Sequence, residues 1–159
     1  MLVVECYADV ALVETLTSPS RKNIKHAGCK SMVIRKLMRT HENSIGIIDQ
    51  DPYSIQPKDI ERFNEIEYSE RDQLRILYHS QRNNNLIILC PRLEEWIMDA
   101  TREVGLDLNR YNLPSNPNEF HAIINLKINR FTQLVEDLKQ RSNRLRTLHE
   151  HLILSEAGF

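Results

Sequence analysis

Two short apolar runs that each end on an acid constrain this chain more than any other feature. Leu2-Val3-Val4 runs into Glu5, and Ile45-Gly46-Ile47-Ile48 runs into Asp49-Gln50-Asp51-Pro52. Runs this short, rich in β-branched residues, suit buried strands. Between them lie two stretches with helical spacing. Ala8, Ala11, Leu12 and Leu16 make the first, with a stop at Ser18-Pro19-Ser20. Val33, Ile34, Leu37 and Met38 share one face of the second. The segment from Arg21 to Lys30 separates the two helices and reads as a basic loop. Tyr53 to Asp72 reads as a polar connector with a short helix near Ile60 and Phe63. Leu74 to Tyr78 and Leu86 to Leu89 are two more strand candidates, parted by the turn-rich Gln81-Arg82-Asn83-Asn84-Asn85.

After Pro91 the pattern turns helical. Leu93, Trp96, Ile97, Ala100 and Val104 form one stripe that Gly105 should stop. Leu113 to Pro117 reads as a loop. From Phe120 the chain reads as helix, with Ile123, Ile124, Ile128, Phe131, Leu134, Val135 and Leu138 in register. Leu145, Leu148 and Leu152 make a narrower seam on a last helix, suited to helix pairing or to a partner subunit. Strands alternating with helices imply an α/β fold with a mostly parallel sheet flanked by helices, because parallel neighbours need a crossover. The expected organisation is an α/β part over residues 1–110 and a C-terminal helical extension over 111–159, packed as one structural unit. The length of 159 residues suffices for one core.

In parallel sheets functional groups gather at the carboxyl ends of the strands. Glu5, Asp49, Asp51 and Glu94 all lie at or just after such ends. An Asp pair spaced D-x-D after a strand can turn both carboxylates toward one ion, and magnesium takes hard oxygen ligands while keeping several waters. Acids packed together raise one another's pKa, which makes a cation their natural partner. The plainer readings are that Asp49 and Asp51 form a turn before Pro52, that Glu5 is a solvated strand end, and that Glu94 favours a helix N-terminus. Trp96 reads as core, because it falls within the apolar stripe.

The order of these pieces resembles the TOPRIM motif of topoisomerases, primases and OLD-type nucleases. The residues that carry the likeness are Val3-Val4-Glu5, then Gly46-Ile47-Ile48-Asp49-Gln50-Asp51. Pro91-Arg92-Leu93-Glu94-Glu95-Trp96 is similar to a P-x-apolar-E-x-W signature of small standalone TOPRIM-like proteins linked to restriction and phage defence. The family usually has glycine after the first glutamate, where this chain has Cys6. It also usually has a further strand between the first helix and the D-x-D strand, where Lys30 to Met38 reads as helix. The resemblance implies a TOPRIM-like sheet. It also implies magnesium or manganese held by Glu5, Asp49 and Asp51, with Glu94 as a further ligand or base and Lys25 balancing a phosphate.

Other chemistries find little support. Four glycines and no Gly-rich phosphate loop exclude P-loop nucleotide hydrolysis, and no G-x-S-x-G elbow is present. The six histidines show no zinc-ligand spacing. Cys6, Cys29 and Cys90 form no CxxC pair and read as inert thiols of a reducing compartment. The N-terminus lacks the pattern of a secretory signal, and no apolar run is long enough to span a membrane, so a cytoplasmic location is expected. A net charge of −1 gives no general attraction to nucleic acid, so DNA or RNA would be met by a local patch or a metal. The basic loop is either a solvated connector or a place where Lys25 or His26 meets phosphate. Arg141, Arg144 and Arg146 read as a solvated helix face. Two functions follow. One is a magnesium-dependent nuclease-like enzyme of phage defence, hydrolytic because no tyrosine nucleophile can be assigned. The other is a non-catalytic TOPRIM-like interaction protein, a homo-oligomer or the partner of a defence ATPase, that makes contact through its C-terminal helices.

Overall fold

Alternation of side chains along each strand divides the apolar residues between the two faces of one sheet. The computed structural model describes residues 1–18 and 23–154. Its six strands are β1 (Leu2–Val4), β2 (Ile24–His26), β3 (Ile45–Asp49), β4 (Asn64–Ser69), β5 (Leu74–His79) and β6 (Asn84–Leu89), in the order β2-β1-β3-β6-β5-β4. The first three pairings in that order are parallel, and β6-β5-β4 is an antiparallel meander. The sheet is therefore mostly parallel, as the alternation of strands and helices predicts. Pro19, Ser20, Arg21 and Lys22, where the first helix should stop and the basic loop begin, lie outside the described residues.

The helices are α1 (Tyr7–Thr17), α2 (Lys30–Arg39), α3 (Leu93–Val104), α4 (Pro117–Ile123), α5 (Ile128–Lys139) and α6 (Asn143–Leu154). Leu2, Val4, Ile45, Ile47, Ile87 and Leu89 turn to one face of the sheet and join a core with α1, α3, α5 and α6. Val3, Ile48, Leu86 and Ile88 turn to the other face and meet Val33, Ile34 and Leu37 of α2. Gly46 is where α2 comes closest: a Cβ there would stand 2.6 Å from Leu37 Cδ1 and 2.9 Å from Val33 Cγ1. Gly105 ends α3 in the left-handed region (φ 71°), as its position past the apolar stripe predicts. No helix among the described residues is long and apolar enough to cross a membrane.

Three local expectations are corrected. The basic segment read as loop contains β2, and the polar connector contains β4. Both are edge strands with exposed residues on both faces, so neither shows the period-2 burial that reveals a strand. The helix read as continuous from Phe120 breaks into α4, a 3-10 turn at Ile124–Leu126, and α5. Within that break the Asn125 side chain accepts the Ala8 N–H at 3.0 Å, one of the donors left open at the start of α1. Of the two readings of the α6 seam, helix pairing within the chain is the one seen. Leu145, Leu148 and Leu152 are fully buried in the same core as Phe131, Leu134 and Val135.

Leu152→Ala should therefore destabilise the chain by roughly 2–5 kcal/mol, close to the roughly 3–5 kcal/mol of Phe131→Ala, in denaturant melts. Sedimentation should show no change of oligomeric state in either variant; a shifted state for Leu152→Ala would return α6 to an interface. Gly46→Ala should cost about 1–3 kcal/mol by crowding Leu37.

Candidate functional site

Leaving β1, the chain turns through α1 to β2 on one side and then returns through α2 to β3 on the other. The strand order thus reverses between β1 and β3. A crevice opens outside the carboxyl ends of strands at such a topological switch point. Glu5 follows β1, and Asp49 closes β3, its parallel neighbour, so the two acids leave the same sheet edge side by side. Glu5 Oε1 accepts the Asp49 backbone N–H at 2.8 Å, and Asp49 Oδ1 accepts the Leu93 N–H at the first turn of α3 at 3.0 Å. One corner of the fold is joined by carboxylates bonded to main chain.

Two more acids face this corner. Glu94, in the first turn of α3, is 4% exposed. Its Oε1 lies 2.9 Å from His121 Nδ1, while Oε2 is buried with no hydrogen-bond partner. Asp9, also 4% exposed, occupies the third position of α1, and its Oδ2 accepts the Cys6 N–H at 2.9 Å. Burial holds the Asp49 carboxyl well above the usual range, and the charges of Asp9, Glu5 and Glu94 add to it. Burial likewise pushes Asp9 up to about 7, opposed by its bond to Cys6 and reinforced by Glu5 and Glu94. Glu5 is raised mainly by burial, and the Asp49 N–H and the Lys30 ammonium partly offset this.

Asp51 lies two residues beyond β3 in the left-handed region (φ 43°), its N–H bonded to Pro91 O at 2.7 Å, and its charge adds to the rise at Glu5. The loop after it is clamped by Lys30, which is 9% exposed. Lys30 Nζ donates to Gln50 O at 2.8 Å, Gln56 Oε1 at 3.2 Å and Ser54 Oγ at 3.4 Å. Lys25 stands elsewhere. It is exposed on β2, paired in register with Val3, and its charge bears on His41 along with the chain's amino terminus. The cations whose charge bears on the acids include Lys30, which acts on Glu5, and Arg92, which acts on Glu94 and Asp51. Glu95 pairs with Arg92 instead of joining the cluster.

Sequence reasoning brought Glu5, Asp49, Asp51 and Glu94 together and missed Asp9, Lys30 and His121. Asp9 left a faint signal, an acid among the apolar positions of the first helix, three residues after its cap. Lys30 was one basic residue among several, and no local pattern ties His121 to Glu94, 27 positions away in the chain.

The donor chemistry suits a hard divalent cation, and the Glu94 Oε2 atom, buried and without a hydrogen-bond partner near Asp49 and Asp9, is a polar group that a cation would satisfy. Among the described residues no three His, Cys, Asp or Glu side chains form a closed metal-holding group. Magnesium is usually held by one or two carboxylates together with waters and substrate phosphate, not by an all-protein cage, so the residues present fit it in that open form.

Asp49, Asp9 and Glu5 make a pH-dependent load on the fold. Their folded pKa values lie above the unfolded ones, so the native state keeps protons that the unfolded chain has already released. Stability should fall as pH rises, for Asp9 between its ordinary 3.8 and about 7. In chelator, Asp9→Asn keeps an acceptor for Cys6 and should stabilise the chain by about 1–3 kcal/mol at high pH, with the gain shrinking toward acid. Urea melts across that range measure it; equal pH slopes in the two proteins would show that Asp9 carries no such load.

Comparison with protein-family models, with curated proteins and with solved structures finds no match to this chain.

Proposed function

We propose that this chain is a TOPRIM-like phosphodiester-cleaving domain that uses magnesium or manganese on DNA or RNA. The observation that carries the reading is the group of acids at the β1/β3 switch point, with Glu94 Oε2 buried beside it and unpartnered. Parallel support comes from β2, which stands between the first helix and the D-x-D strand, where the resembled family has a strand.

Glu5, Asp49 and Asp51 are the residues that would hold the ion. A bound divalent ion supplies charge for the phosphate and lowers the pKa of a bound water. The chain's own groups do the positioning. Glu5 fixes the Asp49 main chain, and the Leu93 N–H orients the Asp49 carboxylate. Lys30 holds the loop that carries Asp51 by its carbonyl and side-chain oxygens. His121 fixes one oxygen of Glu94 and leaves the other to take a proton from the attacking water.

A second reading rests on Tyr53 and Ile55, which are almost fully exposed in the loop after Asp51. Apolar side chains so placed suit a protein partner, a defence ATPase or a second copy, docking over the site without cleavage.

The deciding experiment incubates single- and double-stranded DNA and RNA with the protein and magnesium or manganese. Wild type should cleave at least one substrate, and Asp49→Asn should lose about a hundredfold or more of the rate. Cleavage that survives Asp49→Asn unchanged, or none on any substrate, would overturn the enzyme reading. Magnesium should also raise the melting temperature of wild type, by the equivalent of about 2.7 kcal/mol at a hundred times its dissociation constant. Asp49→Ala/Asp51→Ala should not respond.

A further inference from the structure

Beside Asp49, on the α2 face of the sheet, a cavity of about 400 Å³ opens that the cleavage chemistry does not use. Ile48, Leu77 and Ile88 of three adjacent strands form its floor, and Ile60 and Phe63, from the short 3-10 turn (Lys58–Arg62) and the residue after it, form its side. Its volume falls within the range of small-molecule sites, and its apolar floor is rimmed by polar groups, among them the acids Asp49, Glu61 and Glu65 and the cation Arg75. Three of those groups are Asp49, Gln50 and Arg75. A second hollow of about 320 Å³ shares Gln50, Glu65 and Arg75 and continues past them toward Tyr68 and Gln73.

The polar groups narrow the class of ligand. The Gln50 carbonyl is taken by Lys30 and Gln56, but its side-chain amide makes no hydrogen bond among the described residues. That leaves one donor and one acceptor side by side, the pair that reads a base edge. Arg75 is about one-third exposed and bonds through Nε to Glu65, while its two terminal nitrogens have no partner among the described residues. A guanidinium with spare N–H groups at an apolar mouth suits a phosphate. The cavity's wall at Asp49 is also part of the acidic corner, so a phosphate held at the mouth would be continuous with the proposed cleavage site.

We infer that this cavity receives the base of a nucleotide, unstacked from a single strand, with Gln50 on the base edge and Arg75 on its phosphate. The inference rests on the phosphodiester reading of the neighbouring acids and deepens it: the substrate class becomes single-stranded nucleic acid, with one base held out of the strand beside the cleaved bond. Duplexes would serve only where a base can be flipped out of the stack.

Binding is measurable apart from cleavage. Nucleoside 5′-monophosphates of each base are titrated into the full chain in chelator, followed by calorimetry, with ribose 5-phosphate as the probe that lacks a base. Wild type should bind one or more of the nucleotides saturably and ribose 5-phosphate at least about tenfold more weakly, a difference of about 1.4 kcal/mol. Ile60→Trp, which fills the cavity from its partly exposed side, and Arg75→Gln should each weaken binding by a similar factor. Glu65→Gln breaks the same ion pair as Arg75→Gln but keeps the guanidinium, so it should bind as well as wild type or better. Melting temperatures without ligand establish that each variant is folded. No saturable binding by wild type, equal binding of ribose 5-phosphate, or equal loss in Glu65→Gln and Arg75→Gln would overturn the inference. If nucleotides bind as described while the chain cleaves nothing, the enzyme reading fails and the pocket stands; if cleavage persists without nucleotide binding, the pocket fails and the enzyme reading stands.

Discussion

Two hydrogen bonds hold the acidic corner together, and the arrangement around it depends on them. The Asp49 N–H goes to Glu5, and the Leu93 N–H goes to the Asp49 carboxylate. The first bond ties the end of β1 to the end of β3, and the second ties β3 to the start of α3. Each satisfies a backbone donor at an element end that would otherwise be lost to burial. Each also carries a carboxylate into a part of the fold where charge is costly. The same contacts that close the structure therefore concentrate acids at the switch point, where Glu94 and Asp9 add to them.

That concentration is a conflict the fold tolerates locally. Asp49 and Asp9 titrate far above ordinary carboxyls, because burial and like charges act in the same direction. Main-chain donors and Lys30 offset part of the cost, while Glu94 Oε2 is buried without a hydrogen-bond partner. Structural acids are usually paired or solvated. Acids held buried, close together and incompletely compensated are characteristic of sites that work on a cation or a proton. The rest of the molecule is conventional by comparison: two apolar layers on one sheet, with Gly46 letting α2 pack close behind β3.

The C-terminal third supports the corner from behind. Phe120, Phe131 and Leu134 belong to the core that also contains the inner residues of β1, β3 and β6. The break between α4 and α5 turns Asn125 toward the start of α1, next to Asp9, and α4 carries His121 to Glu94. These helices bear on the site's geometry, and the apolar stripes of α5 and α6 at Phe131, Leu134, Leu145, Leu148 and Leu152 are buried within the chain.

Much of this was legible in the residues. Leu2-Val3-Val4 and Ile45 to Ile48 announced buried strands because both their faces are covered, and the helical stripes of α1, α2, α3 and α5 announced the layers over them. The strand-end positions of Glu5, Asp49 and Glu94 foretold a shared edge, since parallel strands put their carboxyl ends together. The edge strands β2 and β4 were not legible, because a strand with two exposed faces has no apolar alternation. The break after Ile123 was not legible either, because a tertiary bond to Asn125 marks it, with no glycine or proline there. By itself, then, the sequence determined which segments must be buried and which acids end them, because hydrophobic periodicity is a local property. Only the tertiary structure decided that Lys30 and not Lys25 meets those acids, that Asp9 and His121 join them, and that α6 faces inward. Those outcomes depend on which segments become neighbours in space, and chain spacing alone does not carry that information.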